Sequence, residues 1–231
     1  MSNNSLIRSA EKSLEVKSLK DLVRARTSEH VVLLVDVSIS MGETMRNGKT
    51  RIEGLRIVVA GMQAKRATQM IAFGLRPELN PEAQFLPVEQ QGKQVGFVTE
   101  IPSAQGGTPM AEGIDFARES GFGRAVIISD GAPNDRSAAF EAARKFGGRI
   151  DVVFVGDPGD PGSILLEELA KLTGGQRFEG DLSEVKEITS AVIGLLNGDV
   201  LEQDDEDDDE DEDDDEDEDD DEDEDDDEDE P

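Results

Sequence analysis

VLLVDVSISM, residues 32–41, is an apolar run that stops at an acid and then alternates with small hydroxyls. A continuous stretch of Val and Leu suits a strand buried on both faces, as in the middle of a parallel sheet. An ionised carboxylate at the end of such a strand is costly unless something pairs with it. Asp36, followed by Ser38 and Ser40, therefore asks for a partner, and the rest of the chain has to supply one.

Two further β-branched runs read like the first, residues 125–128 and 152–155, with residues 70–73 as a weaker fourth strand. Residues 83–88 and 95–99 read as an edge strand and a further extended segment, and 176–178 as a last short strand. Helical signals fall between them. Ile52, Leu55, Val58, Val59 and Met62 share one apolar face. Residues 138–146 are rich in helix formers, and 164–172 end at Gly174, a left-handed cap. Leu182, Val185, Ile188, Val192 and Leu195 form another stripe, with Asp181 and Glu184 spaced as a capping box. Residues 5–25 carry an imperfect stripe and are expected to be helical. Strands alternating with helices predict an α/β sandwich around a mostly parallel sheet.

Every position from 204 to 230 is Asp or Glu, which accounts for 27 of the 55 acids; the other 28 face 23 Lys and Arg, so the remainder carries about −5 of the −32 net charge. The low isoelectric point belongs to a tail that has nothing to bury and is expected to be disordered. The organisation read from this is an N-terminal extension over 1–29, a folded domain over 30–200 and a polyacidic tail over 201–231. Cysteine is absent, which excludes disulfides and thiolate metal sites. No apolar run approaches the roughly 18–20 residues of a membrane span, and the opening stretch has no signal-peptide core; a cytoplasmic protein is expected. Trp and Tyr are absent, so no aromatic platform for single-stranded nucleic acid is evident, and no direct nucleic-acid binding is expected.

Ligands of open α/β sheets sit beyond the carboxyl ends of the strands. Asp36, Ser38 and Ser40 follow the first strong strand, Asp130 follows the AVIIS strand in SDGAPND, and Thr108 lies in QGGTPM before a predicted helix. Two acids and three hydroxyls are hard oxygen ligands, suited to Mg²⁺ and not to zinc. Each has a plainer reading. Thr108 could cap a helix with Pro109 at its first position. Ser38 and Ser40 could cap the helix that follows, and Asp130-Gly131 could be an ordinary turn. Asp157 and Asp160 in GDPGDPG read as turn-formers, and His30, the single histidine, as structural.

Taken together, Asp36-Val-Ser38-Ile-Ser40, Thr108 in GGTPM and Asp130 in ISDG resemble the von Willebrand factor A (vWA) family. The shared pattern is its metal-ion-dependent adhesion site, D-x-S-x-S with a distant Thr and a distant Asp. The resemblance runs from about residue 30 to 197 and includes VVFVGD and LLEELAKLTGGQRF. Ile39 replaces the commoner small residue, and residues 75–96 resemble nothing specific. The resemblance implies a Rossmann-like three-layer α/β/α sandwich, mostly parallel with one antiparallel edge strand. It also implies a cation (Mg²⁺, or Mn²⁺ or Ca²⁺) touched by Ser38, Ser40 and often Thr108, with Asp36 and Asp130 acting mainly through water. Such a metal accepts an Asp or Glu from a protein partner. Intracellular proteins of this look work as adaptors or co-chaperones, for example beside AAA+ ATPases of the MoxR type.

Two other function classes bear on the sequence. The acidic tail could mimic nucleic acid and bind basic proteins, or compete for the chain's own metal site. An enzyme is not expected. Phosphatases of the haloacid-dehalogenase type need a second acid two residues after the nucleophilic Asp, and here that position is Ser38. No P-loop is present, and one His with no Cys offers no credible nucleophile system.

Overall fold

The computed structural model describes residues 30–76, 93–157 and 159–201. The expected helix over 5–25, the extended segment expected over 83–88 and the acidic run over 204–230 lie outside them. Among the described residues six strands and five α-helices follow one another: β1 (Val31–Asp36), α1 (Arg51–Gln63), β2 (Gln69–Phe73), β3 (Val95–Val98), α2 (Met110–Glu119), β4 (Arg124–Ser129), α3 (Arg136–Phe146), β5 (Arg149–Phe154), α4 (Pro161–Thr173), β6 (Arg177–Glu179) and α5 (Val185–Asn197).

The sheet has the order β3-β2-β1-β4-β5-β6. All pairs are parallel except β2 with β3, which run antiparallel at the edge. The predicted mostly parallel sheet with one antiparallel edge strand is what forms. Both faces are covered, which is why the strands read as unbroken apolar runs. Leu33, Val35, Val126, Ile128 and Val153 pack with the α1 and α5 stripes on one face. Val32, Leu34, Ile71, Ile127 and Val152 pack with α2, α3 and α4 on the other. For α1, α3 and α4, which join parallel strands, this division follows from right-handed crossovers. The chain moves one way from β1 to β2 and the other way from β4 through β6, so the connecting helices fall on opposite faces.

That reversal places a topological switch point between β1 and β4, the position where open α/β sheets leave a crevice. Val35 lies opposite Ile128, which carries Ser129 alongside Asp36 at the carboxyl edge of the two strands.

One local expectation is corrected. The Asp181–Glu184 pair forms no capping box: the Asp181 side chain accepts from Ser183 N–H at 2.7 Å in a turn, and α5 begins after Glu184 without a side-chain cap. The true capping box lies at α1, where Thr50 and Glu53 satisfy each other's backbone N–H groups.

Candidate metal centre

Asp36 is the last residue of β1 and is fully buried. Its Oδ1 accepts the Ser38 backbone N–H at 2.8 Å and its Oδ2 accepts the Ser129 hydroxyl at 2.6 Å. Beyond it the chain turns tightly through a 3₁₀ segment, Ile39–Gly42, which points Ser38 and Ser40 the same way. Their hydroxyl oxygens lie 3.0 Å apart. Ser40 then donates to Asp130 Oδ1 at 2.9 Å. Four of the five predicted residues thus form one hydrogen-bonded chain, from Asp36 through the two serines to Asp130. Neither serine caps a helix: Ser38 precedes the 3₁₀ turn with no side-chain cap.

Thr108 comes from a separate loop fastened to the same edge. Gln105 N–H donates to Val37 O at 2.7 Å, and Ile39 N–H donates to Gly106 O at 3.0 Å. Asn134 clamps Thr108 from the other side, its side chain accepting the Thr108 N–H at 2.8 Å and its own N–H reaching Thr108 O at 3.0 Å. The helix-cap alternative is not realised, because α2 starts at Met110 with Pro109 before it and no side-chain cap. Close approach of these loops depends on glycine. A Cβ on Gly74, whose φ is +96°, would meet Gly107 O at 2.7 Å and Ser38 N at 3.0 Å.

No family model matches the sequence, and no curated protein matches it. Among solved structures, proximal thread matrix protein 1 from the mussel byssus aligns with a TM-score of 0.51 and 15% identity, over 73% of this chain and 48% of that one. A von Willebrand factor type A structure from Catenulispora acidiphila aligns with a TM-score of 0.50 and 16% identity, over 73% of this chain and 43% of that one. The fold is vWA-like. This chain spans less than half the length of either neighbour.

Within this vWA-like frame the electrostatics are unusual. Burial pushes the Asp36 carboxyl up to about 7, against the pull of its hydrogen bonds from Ser129 and Ser38. Burial also pushes Asp130 up, with the Ser40 hydroxyl and the Arg51 guanidinium pulling the other way. Among the described residues Asp36 has no ion-pair partner, so a cation would remove the penalty on its charge. Among the same residues no three acidic or histidine side chains converge to hold a metal. A cation here would draw on Ser38, Ser40 and Thr108 hydroxyls and on water, with the two carboxylates fixing them. The donor chemistry fits Mg²⁺.

Sequence reasoning missed three residues of the centre. Ser129 and Asn134 flank Asp130 in the same SDGAPND stretch. Arg51 is more telling: a cation in the first turn of α1, against the helix dipole, is a local conflict that marks a role elsewhere. It donates to Asp130 Oδ2 at 3.0 Å and Glu43 Oε2 at 2.9 Å, and pairs with Asp157 at 3.0 Å. Asp157 is therefore more than the turn-former it was read as, and Asp160 is the α4 cap, accepting Gly162 N–H at 2.6 Å. His30 lies exposed ahead of β1.

Proposed function

We propose that the chain is a divalent-cation-dependent protein-interaction module. Ser38, Ser40 and Thr108 would hold Mg²⁺, and Asp36 and Asp130 would orient the hydroxyls and bound water. A cation held largely by neutral oxygens keeps excess positive charge, and so can accept an Asp or Glu side chain from a partner. The observation carrying this reading is the continuous hydrogen-bonded path from buried Asp36 through Ser38 and Ser40 to Asp130, at the switch point of the sheet. The chain's own contribution is to bring two loops and two strand ends together at one edge of the sheet. A MoxR-type AAA+ ATPase is the partner class the family resemblance favours.

The test is capture of partners on immobilised protein in Mg²⁺, in EDTA, and with Asp36→Ala. Partners held in Mg²⁺ should be released in both controls; retention in both would remove the metal-bridged account. The 27-acid tail supports a second reading, electrostatic binding of basic proteins. Binding of that kind collapses with salt, survives loss of Ser38 and Ser40, and ends on truncation after Leu201.

A further inference from the structure

Arg51 is 8% exposed, yet two of its three carboxylate partners stand in solvent: the Glu43 side chain is 63% exposed and that of Asp157 is 82% exposed, while Asp130 is buried. The guanidinium therefore bridges the inside of the centre to its rim. Its backbone is tied to the same turn that carries the serines. Arg51 N–H donates to Glu43 O at 3.0 Å, and Glu43 N–H donates to Ser40 O at 2.9 Å. The Thr50–Glu53 capping box fixes the first turn of α1 and with it the position from which the side chain reaches in. Helix stability alone gives no reason for arginine here, since the dipole disfavours a cation in a first turn.

Asp130 has both oxygens engaged, Oδ1 by Ser40 and Oδ2 by Arg51. The guanidinium pairs with the Asp130 carboxylate, whose charge burial would otherwise leave uncompensated. It also sits beside the oxygens proposed to hold a metal, where a fixed positive charge opposes a second one.

We infer that Arg51 is a built-in counter-cation of this centre, which holds Asp130 in place in the free protein and lowers the centre's affinity for a divalent metal. The inference rests on the metal-binding reading above. Glu43 and Asp157 act with it, since their charges offset that of the guanidinium and moderate its repulsion of a metal. The consequence is a site that holds its metal loosely, so that a partner carboxylate adds much of the binding. Arg51 is a positioning and affinity-setting residue, and no contact between it and the metal is required.

The experiment is calorimetric titration of the full-length protein with MnCl₂ and MgCl₂, beside thermal melts in EDTA, for wild type, Arg51→Gln and Arg51→Lys. The tail acids contribute weak sites common to all three. Arg51→Gln should melt lower in EDTA and bind metal at the centre about tenfold more tightly or better, so its melting temperature gains more from metal than that of wild type. Arg51→Lys keeps the charge, though not the forked contacts, and its metal affinity should stay within about threefold of wild type. Equal or weaker binding by a folded Arg51→Gln, or equal tightening by Arg51→Lys, overturns the inference while leaving the metal site standing. Loss of centre binding in wild type and variants alike overturns the metal reading itself. Should Arg51→Gln fail to fold, the surface pair Glu43→Gln with Asp157→Asn serves instead. It should weaken metal binding about threefold or more at low salt, and unchanged affinity refutes the role.

Discussion

Replacing Asp36 with asparagine is expected to stabilise the metal-free protein at pH 8 and to leave it no more stable at pH 4. The carboxyl ionises near 3.8 when unconstrained and is pushed up to about 7 in the fold. A raised acid holds its proton more tightly folded than unfolded, so stability falls as pH rises through that window and the full penalty applies above it. At 1.36 kcal/mol per unit, ionised Asp36 costs the empty fold about 4 kcal/mol at pH 8. Asparagine keeps the Oδ1 acceptor for Ser38 N–H but sets an amide against the Ser129 hydroxyl, a mismatch of about 2 kcal/mol. The net gain is about 2 kcal/mol, or roughly 4–8 °C in melting temperature for a domain of this size. Thermal melts in EDTA at pH 8 and pH 4 read this directly. An Asp36→Asn protein no more stable than wild type at pH 8, or equally favoured at both pH values, would refute the claim that this charge lacks a partner in the empty fold. The same variant should lose any stabilisation by Mg²⁺.

Other expectations follow from the same contacts. Gly74→Ala forces a Cβ against Gly107 O and Ser38 N at a positive φ; it should cost more than about 1 kcal/mol by urea unfolding and abolish Mg²⁺-dependent capture, because it wedges the two site loops apart. Asp151 is buried near the amino end of β5, held by Arg149 at 2.7 Å, Arg124 at 3.5 Å and the Gln176 N–H at 2.8 Å. Asp151→Ala should cost about 3 kcal/mol or more by chemical denaturation and leave metal affinity unchanged in the protein that folds. Ile39 stands 75% exposed between the two serines, so Ile39→Ser should change stability by less than about 0.5 kcal/mol. It should weaken partner capture measurably if the partner covers the metal.

The fold was legible because burial on both faces leaves a plain trace: β1, β4 and β5 appear as unbroken apolar runs, and α1 and α5 as single stripes. The short edge strand β3 was legible only as an extended segment, since four residues, one of them glycine, carry little pattern. Asp36, Ser38, Ser40 and Asp130 could be placed together because each directly follows a strand or sits within five residues of one. Thr108 could not be tied to them by pattern alone; its position depends on Asn134 and on three loop glycines whose contacts cross the sheet edge. Arg51 was passed over because its meaning is tertiary. In sequence it is one more surface-type residue at a helix start, and only the turn over residues 43–51 brings it under Asp130. The Asp181–Glu184 motif failed for the converse reason: the spacing fits a capping box, but the backbone at Glu184 does not enter the helix from Asp181.

The central claim is that the Asp36–Ser38–Ser40–Asp130 path, with Thr108, is a cation site. Its most direct test is a paired calorimetric titration of Mg²⁺ into full-length wild type and into Ser38→Ala/Ser40→Ala, both carrying the same tail. The account predicts a saturable event of one cation per chain in wild type that is missing from the double variant, above weak tail binding common to both. Superimposable isotherms from two folded proteins would contradict it.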